Sequence, residues 1–447
     1  MTVYFHTLGC KVNQYETQAM RVLMEAEGYA TSEELFNGIP EVWASMQDVA
    51  IVINSCTVTE ESDRKLRQLL RRCRREYPHA VLILTGCMPQ AFPEIAEGFG
   101  EADIVLGNAA RRQLPRHLHD FLIHRQRIVD IPPHEKAFEP LAIDEFQGRT
   151  RAFVKIEDGC DRFCSYCIIP YARGRVRSRN IESVLKEVRA LAKKGYKEVV
   201  LTGIHLSSYG VDFPEEKKET LLSLIRAVHE IEGIKRIRLG SLEPGIVTRE
   251  FAEGIAALPK VCPHFHLSLQ SGCDETLERM NRRYRSGEYR ERCELLREVY
   301  GNPALTTDVI VGFPKESEEE FQKSYDFVDS IRFYETHIFK YSRRQGTKAA
   351  AMDGQLTEAE KAFRSEKMIA MHHRHASDYE KSMLGKELEV LIEEEYEKGG
   401  QTWYLGHSRE YIRTAVKKSE NYGVNDIVKV KAESFLEDHI MTGEVVE

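Results

Sequence analysis

Residues 151–175 read RAFVKIEDGCDRFCSYCIIPYARGR. The run RAFVKIEDG predicts a strand, and it feeds a loop carrying Cys160, Cys164 and Cys167 at C-x3-C-x2-C spacing, with Tyr166 just before the last cysteine. Three thiolates on one short loop can converge on a metal. A structural zinc would close its tetrahedron with a fourth ligand at short spacing, and none follows. Three ligands suit a 4Fe-4S cluster whose fourth iron stays open for a substrate. On these residues alone, a zinc site and inert core cysteines are the competing readings.

Downstream, five more strand candidates follow: KEVVLTGIHL, KRIRLGSLEP, HFHLSLQSG, LTTDVIVGFP and ETHIFKYSRR. Helical patterns such as IESVLKEVRALAKKG separate them. Six βα units predict a partial (β/α)6 barrel, with its chemistry at the carboxyl ends of the strands.

Upstream, the apolar runs VYFHTL, VAIVIN and AVLILT alternate with helical patterns, which predicts an α/β domain with a parallel sheet. They end on HTLGC, VINSC and ILTGC, so Cys10, Cys56 and Cys87 each follow a strand by one small residue. Parallel strands bring their carboxyl ends to one edge, so these three cysteines can meet in one crevice. Chance placement at strand ends is the alternative. Cys73 and Cys293 fall at helical packing positions, and Cys262 and Cys273 flank the HFHLSLQSG strand. The histidines His372, His373 and His375 read as surface residues of a polar helical connector.

Beyond residue 377 the chain changes to short β segments separated by Gly, Asn and Ser, as in a small OB-like β-barrel. The domains expected are 1–130, a Pro-containing linker at 131–148, the barrel at 149–376 and the β domain at 377–447. No stretch approaches the ~20 apolar residues of a membrane span, and ten cysteines in a chain of 447 residues argue against a disulfide framework. We expect a cytoplasmic protein with no membrane partner.

The net charge of −8 looks unfavourable for a nucleic-acid binder, but the charge is uneven. Residues 64–75 hold seven basic residues and no acidic one, RGRVRSR spans 173–179, and ERMNRRYRSGEYRER spans 278–292. Residues 378–447, in contrast, carry 9 basic and 16 acidic residues. Local patches, not the global balance, attract a phosphate backbone. The bland alternative is that each run is a solvated helix face.

The loop GCDRFCSYC resembles that of the radical S-adenosylmethionine (SAM) enzymes. The strings LGCKVNQYET, NSCTVT, TGC and GCDRFCSYCIIPYARGR together resemble the methylthiotransferases of that superfamily, most of all the bacterial MtaB branch, from about residue 3 to residue 446. The resemblance implies two 4Fe-4S clusters, one on Cys160, Cys164 and Cys167 and an auxiliary one on Cys10, Cys56 and Cys87. It implies SAM contacts from Tyr166, Gly203, His205, Ser241, Glu243, Gln270, Ile310 and Gly312. Asp308, where many radical enzymes have glycine, and Lys315, where closer relatives usually have glycine, depart from the pattern.

The implied reaction uses two SAM molecules. One methylates a sulfur on the auxiliary cluster, and the other yields the radical that takes hydrogen from C2 of an adenine. The implied substrate is threonylcarbamoyladenosine at tRNA position 37, in the anticodon loop, and the implied last domain is a TRAM module. RNA contacts are expected from Arg71, Arg72, Arg75, Arg175, Arg282, Arg283, Trp403, Arg413 and Lys417, with Tyr404, Arg409, Tyr411 and Lys418 beside them. An external one-electron donor such as a flavodoxin or ferredoxin is implied, and DNA is not. The competing readings are an enzyme of the same kind acting on isopentenyladenosine or on a ribosomal protein, another radical SAM enzyme without the N-terminal trio, and a non-catalytic zinc-containing RNA-binding protein. The stretch 31–50 reads as an insertion.

Overall fold

The computed structural model describes residues 1–34, 49–141, 143, 150–217 and 219–446. Most of the expected insertion therefore lies outside the described residues. Two compact units do not follow the linear order of the chain. The first comprises Met1–Asp144, Lys155–Arg179 and Ser342–Ala351, and the second Glu145–Val154, Asn180–Tyr341 and Met352–Glu447.

The first unit is built on a six-stranded parallel sheet. In chain order its strands are β1 (Thr2–Thr7), β2 (Ala30–Ser32), β3 (Val49–Ser55), β4 (Val81–Gly86), β5 (Ile104–Leu106) and β6 (Ile128–Asp130). Their spatial order is β2-β1-β3-β4-β5-β6. β3 and β4 are buried at every residue, as expected of central parallel strands covered on both faces. The helices Lys11–Ala26 and Leu114–His124 cover one face through Met20, Met24, Leu114 and Leu118. Helix Glu60–Glu76 covers the other through Leu66, Leu70 and Cys73, which confirms Cys73 as a packing residue.

The barrel begins with β7 (Arg151–Lys155), and a two-stranded antiparallel ribbon follows, β8 (Glu157–Asp158) against β9 (Arg177–Ser178). In the second unit, β10 (Glu198–Thr202) and β11 (Arg236–Leu239) form a sheet of order β11-β10-β7. β12 (His264–His266), β13 (Ala304–Val311) and β14 (Glu335–Lys340) form a second parallel sheet. The parallel bridges Ile237 to Val261 and Leu242 to Leu267 link the two into one curved wall. The six barrel strands are those expected.

The C-terminal strands β15 (Glu387–Lys398), β16 (Gln401–Ser408), β17 (Arg413–Lys417), β18 (Ile427–Glu437) and β19 (Ile440–Val446) close a barrel of order β15-β16-β17-β19-β18. It docks under the amino ends of β10 and β11. Arg236 donates to Glu389 Oε1 at 2.9 Å and to the His407 carbonyl at 3.0 Å, and Arg238 donates to the Arg409 carbonyl at 3.0 Å. Both guanidiniums are buried and share Glu198, 2.8 Å from Arg238 Nε. Burial alone would raise the Glu198 carboxyl, but Arg238 outweighs it and holds it at about 2.

The histidine connector differs from its sequence reading. His375 is buried in the helix Glu358–Lys381, 2.9 Å from Asp329, and His372 Nδ1 lies 3.3 Å from the Thr336 amide. An amphipathic helix laid along β14 turns two of the three rings inward.

Candidate active site

Register explains how Cys10, Cys56 and Cys87 meet. Thr7 pairs with Asn54 and Asn54 with Thr85, so the three strand ends are level. Each chain then needs only two or three residues to reach its cysteine. Gly9 and Gly86 make the approach possible. Gly9 has φ +122°, and a Cβ there would stand 2.8 Å from Cys56 Cβ; Gly86 has φ +105°, and a Cβ would meet the Ser55 carbonyl oxygen at 2.4 Å. Asn13 staples the loops by donating to the carbonyls of Leu8 (3.1 Å) and Ser55 (3.0 Å), while its Oδ1 lies 3.5 Å from Cys10 Sγ.

The electrostatics of this crevice are unusual. Burial, and then the nearby Cys87, push the Cys56 thiol up to about 12. Cys10 is the N-cap residue of the 16-residue helix Lys11–Ala26, so it sits at that helix's positive end. Arg173, which ends the short helix Ile169–Arg173, donates from Nε to Cys87 Sγ at 3.2 Å and from Nη2 to Asn13 Oδ1 at 2.8 Å. The same guanidinium grips Glu16, with Nη2 to Oε2 at 3.0 Å.

Around Glu16 lies a buried ion network. Lys155 bridges Glu16 (2.7 Å) and Asp158 (2.6 Å), Arg111 bridges Glu16 and Glu139 (2.7 Å), and Arg177 lies 3.5 Å from Asp158. Burial would raise the Glu16 carboxyl, but Arg111, Arg173 and Lys155 together hold it at about 2. Among these groups Arg173 is the cation that also donates to a cysteine. A three-thiolate set with a cationic donor behind it fits an iron–sulfur cluster, whose sulfurs accept N–H hydrogen bonds.

The second trio sits on a closed loop of the same unit. Gly159, at φ +84°, lets the loop cross itself: a Cβ there would lie 2.0 Å from the Arg175 carbonyl oxygen. The Cys160 amide donates to the Gly174 carbonyl at 3.1 Å and seals the neck. Inside it, the Cys167 amide turns back to the Cys164 carbonyl at 2.9 Å, and the Ala349 amide donates to the Ser165 carbonyl at 2.7 Å. Phe163, at φ +48°, packs edge-on to Tyr171 beneath the Arg175 guanidinium. A compact three-thiol loop with no fourth thiol of its own fits a cluster with an open iron.

The second unit places the other expected cofactor residues at strand mouths. His205 follows β10 and lies 3.6 Å from Glu243, which follows β11. Glu243 is buried and also lies 3.4 Å from Arg282. Gln270, at φ +72°, hydrogen-bonds through its backbone with both Asp308 and Ile310. Gly312 is also left-handed, and a Cβ there would strike Lys361 Cγ at 2.4 Å. Gly203 is half-buried, as are Tyr166 of the first unit and Ile310, while Ser241 is exposed.

Two expected RNA contacts are placed elsewhere. The Arg282 side chain is only 7% exposed and is engaged with Glu243 and Tyr284. Trp403 is buried in a small apolar cluster with Leu405, Ala415 and Ile440, on the opposite face of its strand from Tyr404, so its ring is covered and not available to stack on a base. Their neighbours Arg409 and Tyr411 hold the domains of the second unit together: Arg409 donates to the Val261 carbonyl at 2.8 Å, and Tyr411 lies between Arg151 and Arg238. Arg71, Arg72, Arg75 and Arg175 are exposed, with ion pairs to Glu101, Glu76 and Asp161, and Arg283, Arg413 and Lys417 are exposed. Sequence reasoning missed Asn13, Glu16 and the cysteine-facing role of Arg173. The last hid inside an arginine-rich string that reads as an RNA patch.

Comparison with known proteins agrees with this geometry. Residues 154–328 match the Radical SAM superfamily, and residues 2–107 match a family described as Uncharacterized protein family UPF0004. The fold resembles the radical S-adenosylmethionine methyltransferase TsrM from Kitasatospora setae, at TM-score 0.57 and 16% identity over 78% of this chain and 77% of that one. The chain is a radical SAM enzyme, and membership of that class implies a 4Fe-4S cluster and SAM.

Full-length relatives narrow the class. The chain is 39% identical over 433 residues to threonylcarbamoyladenosine tRNA methylthiotransferase MtaB of Bacillus subtilis (strain 168), covering 96% of this chain and 93% of the relative. It is 34% identical over 450 residues to tRNA-2-methylthio-N(6)-dimethylallyladenosine synthase of Finegoldia magna, covering 99% and 94%. The protein belongs to the radical SAM methylthiotransferase family.

Proposed function

We propose that the protein attaches a methylthio group to C2 of threonylcarbamoyladenosine at tRNA position 37. Cys160, Cys164 and Cys167 would hold one 4Fe-4S cluster and Cys10, Cys56 and Cys87 a second. The observation that carries this reading is the presence of both cysteine trios in one compact unit, with Arg173 of the second loop donating to Cys87 of the first. When bound, the clusters and SAM supply a carbon-centred radical and a sulfur for transfer. A C2–H bond has no useful acidity, so no side-chain base substitutes for that chemistry.

The chain's own residues bind and orient. Asn13 and the level strand ends fix the N-terminal thiols, and the Arg173 network offsets their charge. Tyr166, Gly203, His205, Ser241, Glu243, Gln270, Ile310 and Gly312 are the SAM contacts in this reading. Arg71, Arg72, Arg75, Arg175, Arg283, Arg413 and Lys417 remain as phosphate contacts for an anticodon loop, whose unpaired bases can be extruded at low cost. Electrons come from an external one-electron donor of the flavodoxin or ferredoxin kind. The choice of base is supported by four MtaB relatives at 34–39% identity, a range that the dimethylallyladenosine synthases, at 34–35%, overlap.

Anaerobic reconstitution tests the cluster count. We expect about eight irons per chain, falling to about four in Cys10→Ala/Cys56→Ala/Cys87→Ala. An unchanged count defeats the two-cluster reading. Nucleoside mass spectrometry of tRNA from a deletion strain tests the base: loss of the methylthio form of threonylcarbamoyladenosine is expected, and loss of the dimethylallyl derivative instead would reassign the substrate.

A further inference from the structure

Side chains alternate across β13, and the two faces differ. Thr307 and Val309 are buried, with Thr307 Oγ1 3.2 Å from Tyr289 in the outer helix Ser286–Tyr300, whereas Asp308 and Ile310 point the other way and are half-buried. On β14 Thr336 is buried and His337 exposed. The inward layer at this level is therefore His266, Asp308 and His337, whose ligand atoms all lie within 4.8 Å of one another. A barrel interior is ordinarily packed with branched apolar residues, so a polar, accessible layer is out of place as core.

Its position is fixed from below and from the side. His264, on the same face of β12, stacks on Tyr411 at 4.9 Å, in the plug formed with the C-terminal barrel. His266 thus belongs to the first open layer above that plug. Its Nδ1 meets Thr306 Oγ1 at 2.9 Å and its Nε2 meets Asp308 Oδ2 at 3.1 Å. Asp308 is the cross-strand partner of His337, whose ring stacks against His266 at 5.6 Å. Ile310 stands two residues further along the same face of β13.

We propose that His266, Asp308 and His337 form a substrate-positioning floor that seats the polar edge of the substrate purine. The inference rests on the function proposed above. C2 of a purine lies between N1 and N3, both acceptors, so a site that holds C2 must present N–H donors and a flat surface. His337 offers both, and its ring nitrogens make no hydrogen bond among the described residues. The His266–Asp308 pair, anchored by Thr306, keeps that ring in place. Two histidines and a carboxylate also suit a divalent metal, which is the competing outcome.

The test uses the reconstituted full-length enzyme with SAM and an anticodon stem-loop bearing the modified adenosine. His337→Phe keeps the flat ring and removes the donor; Asp308→Asn loosens His266. We expect KM for the RNA to rise about tenfold in each, the loss of one hydrogen bond to the base. We also expect more 5′-deoxyadenosine released per product, with SAM affinity and the cluster absorption spectrum unchanged. An unchanged KM and an unchanged ratio overturn the proposal, as does a loss confined to SAM affinity. A non-iron divalent metal that is stoichiometric in the wild type and lost in Asp308→Asn overturns it in favour of a metal site. If the wild type makes no product, the parent reading fails and this one with it; product from the wild type with indifferent variants defeats this one alone.

Discussion

Arg173 Nε stands 3.2 Å from Cys87 Sγ, so the segment that closes the second cysteine loop also supports the first. The guanidinium is fully buried and has no solvent to fall back on. Burial opposes its charge, but Cys87, Glu16 and Asp158 keep it protonated far above the ordinary arginine range. This one side chain ties the segment that closes the second loop to the first set of thiols through a hydrogen bond to Cys87 and an ion pair with Glu16.

Replacing it separates those two contributions. Arg173→Met strands Glu16 and Asp158 with fewer cations, and breaking such a buried pair costs about 3–5 kcal/mol. Arg173→Lys keeps the charge and loses the forked geometry, so its cost should be smaller. Urea unfolding of the apoprotein measures both. In a Cys160→Ala/Cys164→Ala/Cys167→Ala background, a redox titration of the remaining cluster should move to lower potential in Arg173→Lys, because the sulfur has lost a donor. No movement would leave Arg173 a purely structural ion.

Acid should act in two stages on the first unit. Burial, and then Arg177, bring His134 down to about 4 from its ordinary 6.5. A depressed folded value means full stability above 6.5, lost as the pH falls toward 4. Glu16, at about 2 against an ordinary 4.5, contributes stability that is complete above 4.5 and lost as the pH falls toward 2. Unfolding midpoints at pH 7, 5 and 3 should show the first stage abolished in His134→Gln and the second, to which Asp158 also contributes, reduced in Glu16→Gln. Equal pH slopes in wild type and variants would contradict the assignment.

Gly86→Ala is the smallest change expected to remove a cluster. The position is left-handed, and the added methyl would meet the backbone of Ser55, one residue from Cys56. We expect reconstituted iron to fall by about four per chain while the Cys160 loop keeps its own. Retention of the full complement would mean that the two strand ends can part without consequence.

RNA affinity should depend on helix Glu60–Glu76 and not on Trp403. Arg71→Glu/Arg75→Glu should weaken binding of an anticodon stem-loop and flatten the slope of log K against log salt by roughly one per lost phosphate contact. Trp403→Phe, within the covered cluster of Leu405, Ala415 and Ile440, should leave both affinity and slope unchanged. The reverse pattern would move the RNA to the C-terminal barrel.

Much of this was legible in the sequence because strands and motifs are local. The six barrel strands, the N-terminal parallel sheet and the C-terminal barrel follow from periodicity, and the level ends of β1, β3 and β4 follow from parallel pairing. Side-chain partners across long sequence distances were not legible. Arg173 and Glu16 are 157 residues apart, and no local pattern distinguishes an arginine that will be buried from one in a solvated run. Trp403 misled for the opposite reason: an aromatic on a nucleic-acid-type barrel reads as a stacking platform, but Leu405, Ala415 and Ile440 cover its ring. His266, Asp308 and His337 come from three separate strands, and only the curvature of the wall brings them together.

The three-piece make-up of the first unit has a consequence for the nascent chain. Its last piece, Ser342–Ala351, carries Arg344, which binds Thr57 at 2.6 Å and Asp63 at 2.7 Å beside Cys56, and the amide that meets Ser165 in the Cys160 loop. At ribosomal speeds the interval between completion of the second piece and arrival of the third is on the order of ten to thirty seconds. During that window all six cysteines have been synthesised, but the unit that gathers them lacks its clasp. If both trios hold clusters, as proposed, metal delivery and oxidative damage would compete for these thiols during translation until Ser342–Ala351 is made.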